Sequence, residues 1–123
     1  MTYRYRKEPT NRQLKVAQLI RQEISVIFIR GDVHPSIDSS IITVSDVKIS
    51  PDLKIATVFL CLSKNTTDNT KLFEILNHSS SEFRRIVSKS TSLKYSPEIR
   101  FVEDKYRDEQ INMEKVLNKI SQS

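Results

Sequence analysis

The sequence predicts an α+β fold in which one small sheet is covered by helices. Three observations lead there. A long early stretch carries apolar residues at helical spacing. Two β-branched runs follow, separated by a tight turn containing proline. A third short β-run then comes after a helical pattern that breaks in its middle.

The first helix is predicted over residues 12–30. Leu14, Ala17, Ile20, Ile24, Ile27 and Phe28 recur at helical spacing, and Val16 and Leu19 widen the stripe. Thr10 or Asn11 suits the N-cap just after Pro9, and Gly31, the one glycine of the chain, supplies the stop. A loop over 32–40 follows. Residues 41–49, "IITVSDVKI", read as a strand, and Ser50-Pro51-Asp52-Leu53 has proline and aspartate where a tight turn wants them. Residues 54–62, "KIATVFLCL", are apolar on both faces and predict a central strand, paired with the first as an antiparallel hairpin. Cys61 inside it is expected to be a buried, inert thiol. After the polar linker "SKNTTDN" a helical pattern spans roughly 68–92. A third strand is expected around Glu98 to Val102, led in by Pro97. A last helix is expected over 106–120, with Met113, Val116, Leu117 and Ile120 on one face.

The totals narrow the function. A chain of 123 residues fits one domain with a real core, and a monomer is the default expectation. No apolar run approaches the ~18 residues a membrane span needs. The basic, polar start "MTYRYRKEPTNR" does not read as a secretory signal, and a single cysteine fits a reducing, cytoplasmic setting. The net charge of +5 is unevenly spread. Residues 1–30 hold seven Lys/Arg against two acids and residues 61–94 hold six against three, whereas the other two blocks are net acidic. If folding joins the two basic blocks, they form a face suited to a phosphate backbone.

Catalysis has little to stand on. Neither His34 nor His78 has a cysteine or second histidine at metal-ligand spacing. One glycine cannot build a phosphate-cradling loop, and no serine has the flanking glycines of a nucleophile elbow. Glu103-Asp104 and Asp108-Glu109 flank the start of the last helix, where they suit its dipole. The expectation is a binding protein without enzymatic activity, metal or cofactor.

The helical break lies in "NHSSSEFRR", residues 77–85. Ser79-Ser80-Ser81-Glu82 fits a capping box, in which the Ser79 hydroxyl accepts from the Glu82 amide and Glu82 reaches back. One helix is thus predicted to end near Asn77 and another to begin near Ser79. Arg84, Arg85 and Lys89 lie in the next three turns, and Lys94 follows them. Helix-start amides, hydroxyls and cations together suit a phosphodiester backbone.

At this point "SPDLKIATVFL" and "LKYSPEIRFVED", with the broken helix between them, resemble the ribosome-binding factor A family of bacteria. The resemblance runs from about Arg12 to Ile120. It implies a type II KH-like domain: a three-stranded sheet covered by helices, with a helix-kink-helix in place of the GxxG loop. That divides the chain into a basic N-terminal arm over 1–11, the KH-like domain with its C-terminal helix over 12–120, and a tail over 121–123. The family builds its kink on Ala-x-Gly, positions that fall on Ser79, Ser80 and Ser81. Serine in place of the glycine would be strained at positive φ and would obstruct close backbone approach.

The resemblance also implies a function. Family members are non-enzymatic, cold-linked assembly factors that bind the free 30S ribosomal subunit and 16S rRNA and assist late maturation and processing of that rRNA. No membrane or small-molecule substrate is implied. The residues expected to meet RNA are Ser79, Ser80, Ser81, Arg84, Arg85, Lys89 and Lys94 at the kink. Arg4, Arg6, Lys7, Arg12 and Lys15 are expected to add contacts from the arm and first helix. The alternative is a protein-interaction module docking an acidic partner through its basic face, favoured by the scarcity of stacking aromatics. Tyr3, Tyr5, Tyr95 and Tyr106 are the candidates.

Overall fold

Thr10 starts the first helix, α1 (Asn11–Arg30), through a reciprocal cap with Gln13. The Gln13 amide donates to Thr10 Oγ1 at 3.2 Å, and the Thr10 amide donates to Gln13 Oε1 at 2.9 Å. Gln13 Nε2 then donates to the Ile49 carbonyl at 3.1 Å, which ties the start of the helix to the end of the first strand. The far end stops at Gly31, whose φ of 73° lies in the left-handed region; its amide bonds back to Ile27 and Phe28.

This computed structural model describes residues 8–63, 69–91 and 96–104. The arm up to residue 7, Lys94, Tyr95 and the expected last helix over 106–120 lie outside them. After α1 come a short 3-10 turn at Ser39–Ile41, then β1 (Ile42–Ile49) and β2 (Ile55–Leu62). These are followed by α2 (Thr70–His78), α3 (Ser80–Ser90) and β3 (Glu98–Glu103). The sheet order is β1-β2-β3, with β1 antiparallel and β3 parallel to the central β2. The order of main elements is α-β-β-α-α-β, and the three helices share one face of the sheet.

Two features of the hairpin depart from simple alternation. In β1 the apolar phase runs Ile42, Val44 and then Val47, Ile49. The pairing absorbs the extra residue as a bulge at Ser45, so all four side chains face the core. The Ser45 hydroxyl lies 3.1 Å from the Phe59 carbonyl and 2.9 Å from Asp104 Oδ2, linking β1 to the end of β3. In the turn, the Leu53 amide donates to the Ser50 carbonyl at 2.8 Å, and Leu53 itself takes a φ of 61°. Asp52 Oδ1 accepts from the Ser50 hydroxyl at 2.6 Å and the Lys54 amide at 3.1 Å. Those two bonds, the hydroxyl first, hold the Asp52 carboxyl below its ordinary pKa of 3.8.

The core sits between α1, α2, α3 and the inner sheet face. Ile20, Ile24, Val58, Leu60, Leu76, Val87 and Ile99 are fully buried there, each such side chain contributing about 1.5–3 kcal/mol on removal from water. Phe28, Phe83 and Phe101 join α1, α3 and β3 in one aromatic cluster, with ring centroids 4.8–6.2 Å apart in tilted or edge-on geometry. Cys61 is buried, as the sequence predicts.

Candidate nucleic-acid interface

The break falls at one residue, Ser79, between α2 and α3. Its φ and ψ of −92° and 9° lie in the bridge region, open to any L-residue, and Ser80 and Ser81 are already helical. Among the described residues only Leu53 and Gly31 have positive φ. The strain expected from serine at Ser81 is therefore absent: this kink turns without a left-handed residue, so its backbone conformation does not require glycine.

The capping box is also corrected. Ser79 makes no side-chain cap bond. Its carbonyl instead accepts from the Glu82 amide at 3.0 Å and the Phe83 amide at 3.4 Å, while its own amide bonds to the Ile75 and Leu76 carbonyls at 3.0 and 3.1 Å. Backbone continuity across the bend does the work assigned to the hydroxyl. Glu82 turns forward rather than back, and accepts from Arg85 Nη2 at 2.9 Å.

On α3, Ser81, Arg85, Ser88 and Lys89 all lie on the solvent face. Arg85 and Lys89 are four residues apart, about 6 Å along the axis. The Glu82–Arg85 pair is more than half exposed on both sides, so Arg85 is weakly held. Among the described residues Lys89 has no acidic partner. Ser80 and Ser81 open the helix; with the Ser79 and Glu82 amides already bonded across the bend, their two amides are the helix-start donors that favour negative charge. Hydroxyl, amides and two cations thus share one end and one face of α3.

Arg84 is exposed as well, but its guanidinium is tied to the lead-in of β3. Its Nε donates to the Ser96 carbonyl at 3.0 Å, and the Ser96 hydroxyl donates back to the Arg84 carbonyl at 3.3 Å. Arg12 and Lys15 are exposed on α1 but lie at its start, beside the end of β1. Phe28, which packs against Phe83 of α3, lies sixteen residues or about 24 Å of helix beyond Arg12. The structure therefore brings Ser81, Arg85 and Lys89 together and sets Arg12 and Lys15 apart from the kink. Arg4, Arg6, Lys7 and Lys94 are outside the described residues.

Sequence reasoning missed Asn77 and Ser96. Asn77 Nδ2 donates to the Phe101 carbonyl at 3.1 Å, and the Phe101 amide donates to Asn77 Oδ1 at 2.9 Å. The only signal for it was an asparagine at a helix end, which reads equally as a cap. Glu103 and Asp104 accept from Asn69 Nδ2 at 3.3 Å and from the Ser45 hydroxyl, while the last helix they are expected to flank lies outside the described residues. No group of His, Cys, Asp and Glu suited to a metal occurs among the described residues. No helix among them is long and apolar enough to cross a membrane.

A family model described as ribosome-binding factor A matches residues 12–117. The chain belongs to the ribosome-binding factor A family. A ribosome-binding factor A of Paracoccus denitrificans is 39% identical over 111 residues, covering 89% of this chain and 80% of the relative. One from Ruegeria sp. is 37% identical, covering 89% and 84%. A Thermotoga maritima solution structure, described as a ribosome binding factor A, superposes with a TM-score of 0.66 at 27% identity, covering 79% of this chain and 91% of that one. The crystal structure of ribosome-binding factor A from Thermus thermophilus gives a TM-score of 0.61 at 11% identity, covering 74% and 94%. A homology model of the Thermus thermophilus factor, fitted into a cryo-EM map of its complex with 30S, gives 0.53 at 11% identity, covering 77% and 93%. The fold is thus type II KH-like, with α2–Ser79–α3 in the position of the GxxG loop.

Proposed function

We propose that this protein is a non-enzymatic assembly factor that binds free 30S ribosomal subunits through 16S rRNA and assists late maturation and processing of that rRNA. It acts in the cytoplasm as a monomer, in a role tied to growth in the cold. The observation that carries the reading is the helix restart at Ser79, with Ser81, Arg85 and Lys89 aligned on the exposed face behind it, in a chain of this family. A helix start with flanking cations binds phosphate by charge and amide donation, without a glycine loop. Ser79 and Ser80 shape the approach. Arg4, Arg6, Lys7, Arg12, Lys15 and Lys94 add contacts along the RNA, and Arg84 is assigned below.

Sucrose-gradient fractionation of a lysate, probed for the protein, tests this. Co-migration with free small subunits, lost on nuclease treatment, is the expected result. Residence in the soluble top fractions alone would sink the proposal.

A further inference from the structure

Two side-chain clamps hold the broken helix on β3 and its lead-in, one on each side of the bend. In β3 the amides of Glu98 and Asp104 donate inward to the Lys54 and Leu60 carbonyls, each at 2.8 Å. By the two-residue period of a strand, the backbone groups of Ile99, Phe101 and Glu103 face the outer edge. The Asn77 carboxamide satisfies both groups of Phe101, the middle one of these three, as a further strand would. After the bend, Arg84 and Ser96 exchange the second reciprocal pair. Asn77 lies two residues before Ser79 and Arg84 five after it. The clamps therefore fix where α2 ends and where α3 sets out, at a bend whose own dihedrals are unremarkable.

We infer that Asn77 and Arg84 are positioning residues for the RNA-binding surface. They lock the angle between α2 and α3, so that Ser81, Arg85 and Lys89 meet a phosphate backbone already arranged. Arg84 works through Ser96 and does not grip phosphate itself. This rests on the RNA-binding reading for its functional half, while the clamps stand on their own hydrogen bonds. Each such bond carries roughly a fivefold factor in an equilibrium constant. When the competent arrangement is only partly populated, apparent affinity falls by that fraction. A lost positioning bond thus weakens binding without changing the number of phosphates neutralised.

The test compares the native protein with Asn77→Ala and Arg84→Gln, using free 30S subunits as the binding partner over a range of salt. Amide exchange of Phe101 and of the first turn of α3 is measured without subunits. Asn77 is exposed, so its truncation opens no cavity; Ser96→Ala, which removes one hydroxyl, is the gentler second variant. The expected result is a roughly three- to tenfold loss of affinity at every salt concentration, an unchanged salt slope, and faster exchange at the named amides. A slope lower by about one unit for Arg84→Gln would make Arg84 a phosphate contact and overturn its assignment. Unchanged affinity with faster exchange would reduce the clamps to a merely structural role, and unchanged exchange would overturn them altogether. If the native protein fails to bind 30S, the functional reading falls, while the exchange data still decide the clamps.

Discussion

Replacing Arg85 and Lys89 together by glutamine should weaken the salt dependence of RNA binding while leaving the fold nearly intact. The two cations lie on the exposed face of α3, and each is assigned one phosphate. Neutralising one phosphate contributes about 0.7 to 0.9 to the slope of log affinity against log salt, so losing two lowers it by roughly 1.4–1.8. Over a fourfold rise in salt, the native protein should then lose about tenfold more affinity than the variant. The cost to stability is small. The Glu82–Arg85 pair is more than half exposed on both sides and contributes about 0.2–0.5 kcal/mol, which shifts Tm by at most ~4 °C in a domain this size. Equilibrium binding to free 30S subunits at several salt concentrations, with a melting curve for each protein, supplies both quantities. An unchanged slope would refute the assignment of these cations to phosphates. A fall in Tm beyond ~10 °C would show that they hold the fold instead.

Phe83→Ala should cost about 3–5 kcal/mol in urea unfolding, because the ring is buried against Phe28 and Phe101; Phe83→Leu should recover most of it. Gly31→Ala should cost about 1 kcal/mol from its positive φ alone, since an added methyl meets the Ser39 hydroxyl oxygen at an ordinary 3.6 Å. Asp52 has a folded pKa below its ordinary 3.8, so its contribution is present above that value and is lost as pH falls through the folded pKa. Native protein should therefore exceed Asp52→Asn in stability at neutral pH, and the difference should shrink in that acid range. A constant difference across pH would count against the Ser50–Asp52–Lys54 network.

Most of the architecture was legible because it follows from period and punctuation. The α1 stripe, the lone Gly31 and the Ser50–Asp52 turn each dictate local geometry from local sequence, and β2 declared its central place by being apolar on both faces. The bulge at Ser45 has a sequence signal too, since the apolar phase slips between Val44 and Val47. The kink was located to within about two residues, but its mechanism was not. A serine followed three residues later by glutamate admits a capping box, and only tertiary packing decides that Glu82 turns to Arg85 instead. The clamps are harder still. Asn77 and Phe101 are 24 residues apart, and Arg84 and Ser96 are 12 apart, so their pairing depends on α2 and α3 lying over β3. Charge alone ranked Arg84 with Arg85; the geometry separates them.

Under the proposed function, the kink of this chain meets 16S rRNA. A photo-crosslinking residue placed at Ser81, in protein bound to free 30S subunits, tests it most directly, because Ser81 is exposed at the first turn of α3 beside the assigned cations. Crosslinks to 16S rRNA that diminish in the Arg85→Gln, Lys89→Gln background are the expected result. Crosslinks to ribosomal proteins alone, with none to RNA, would contradict it.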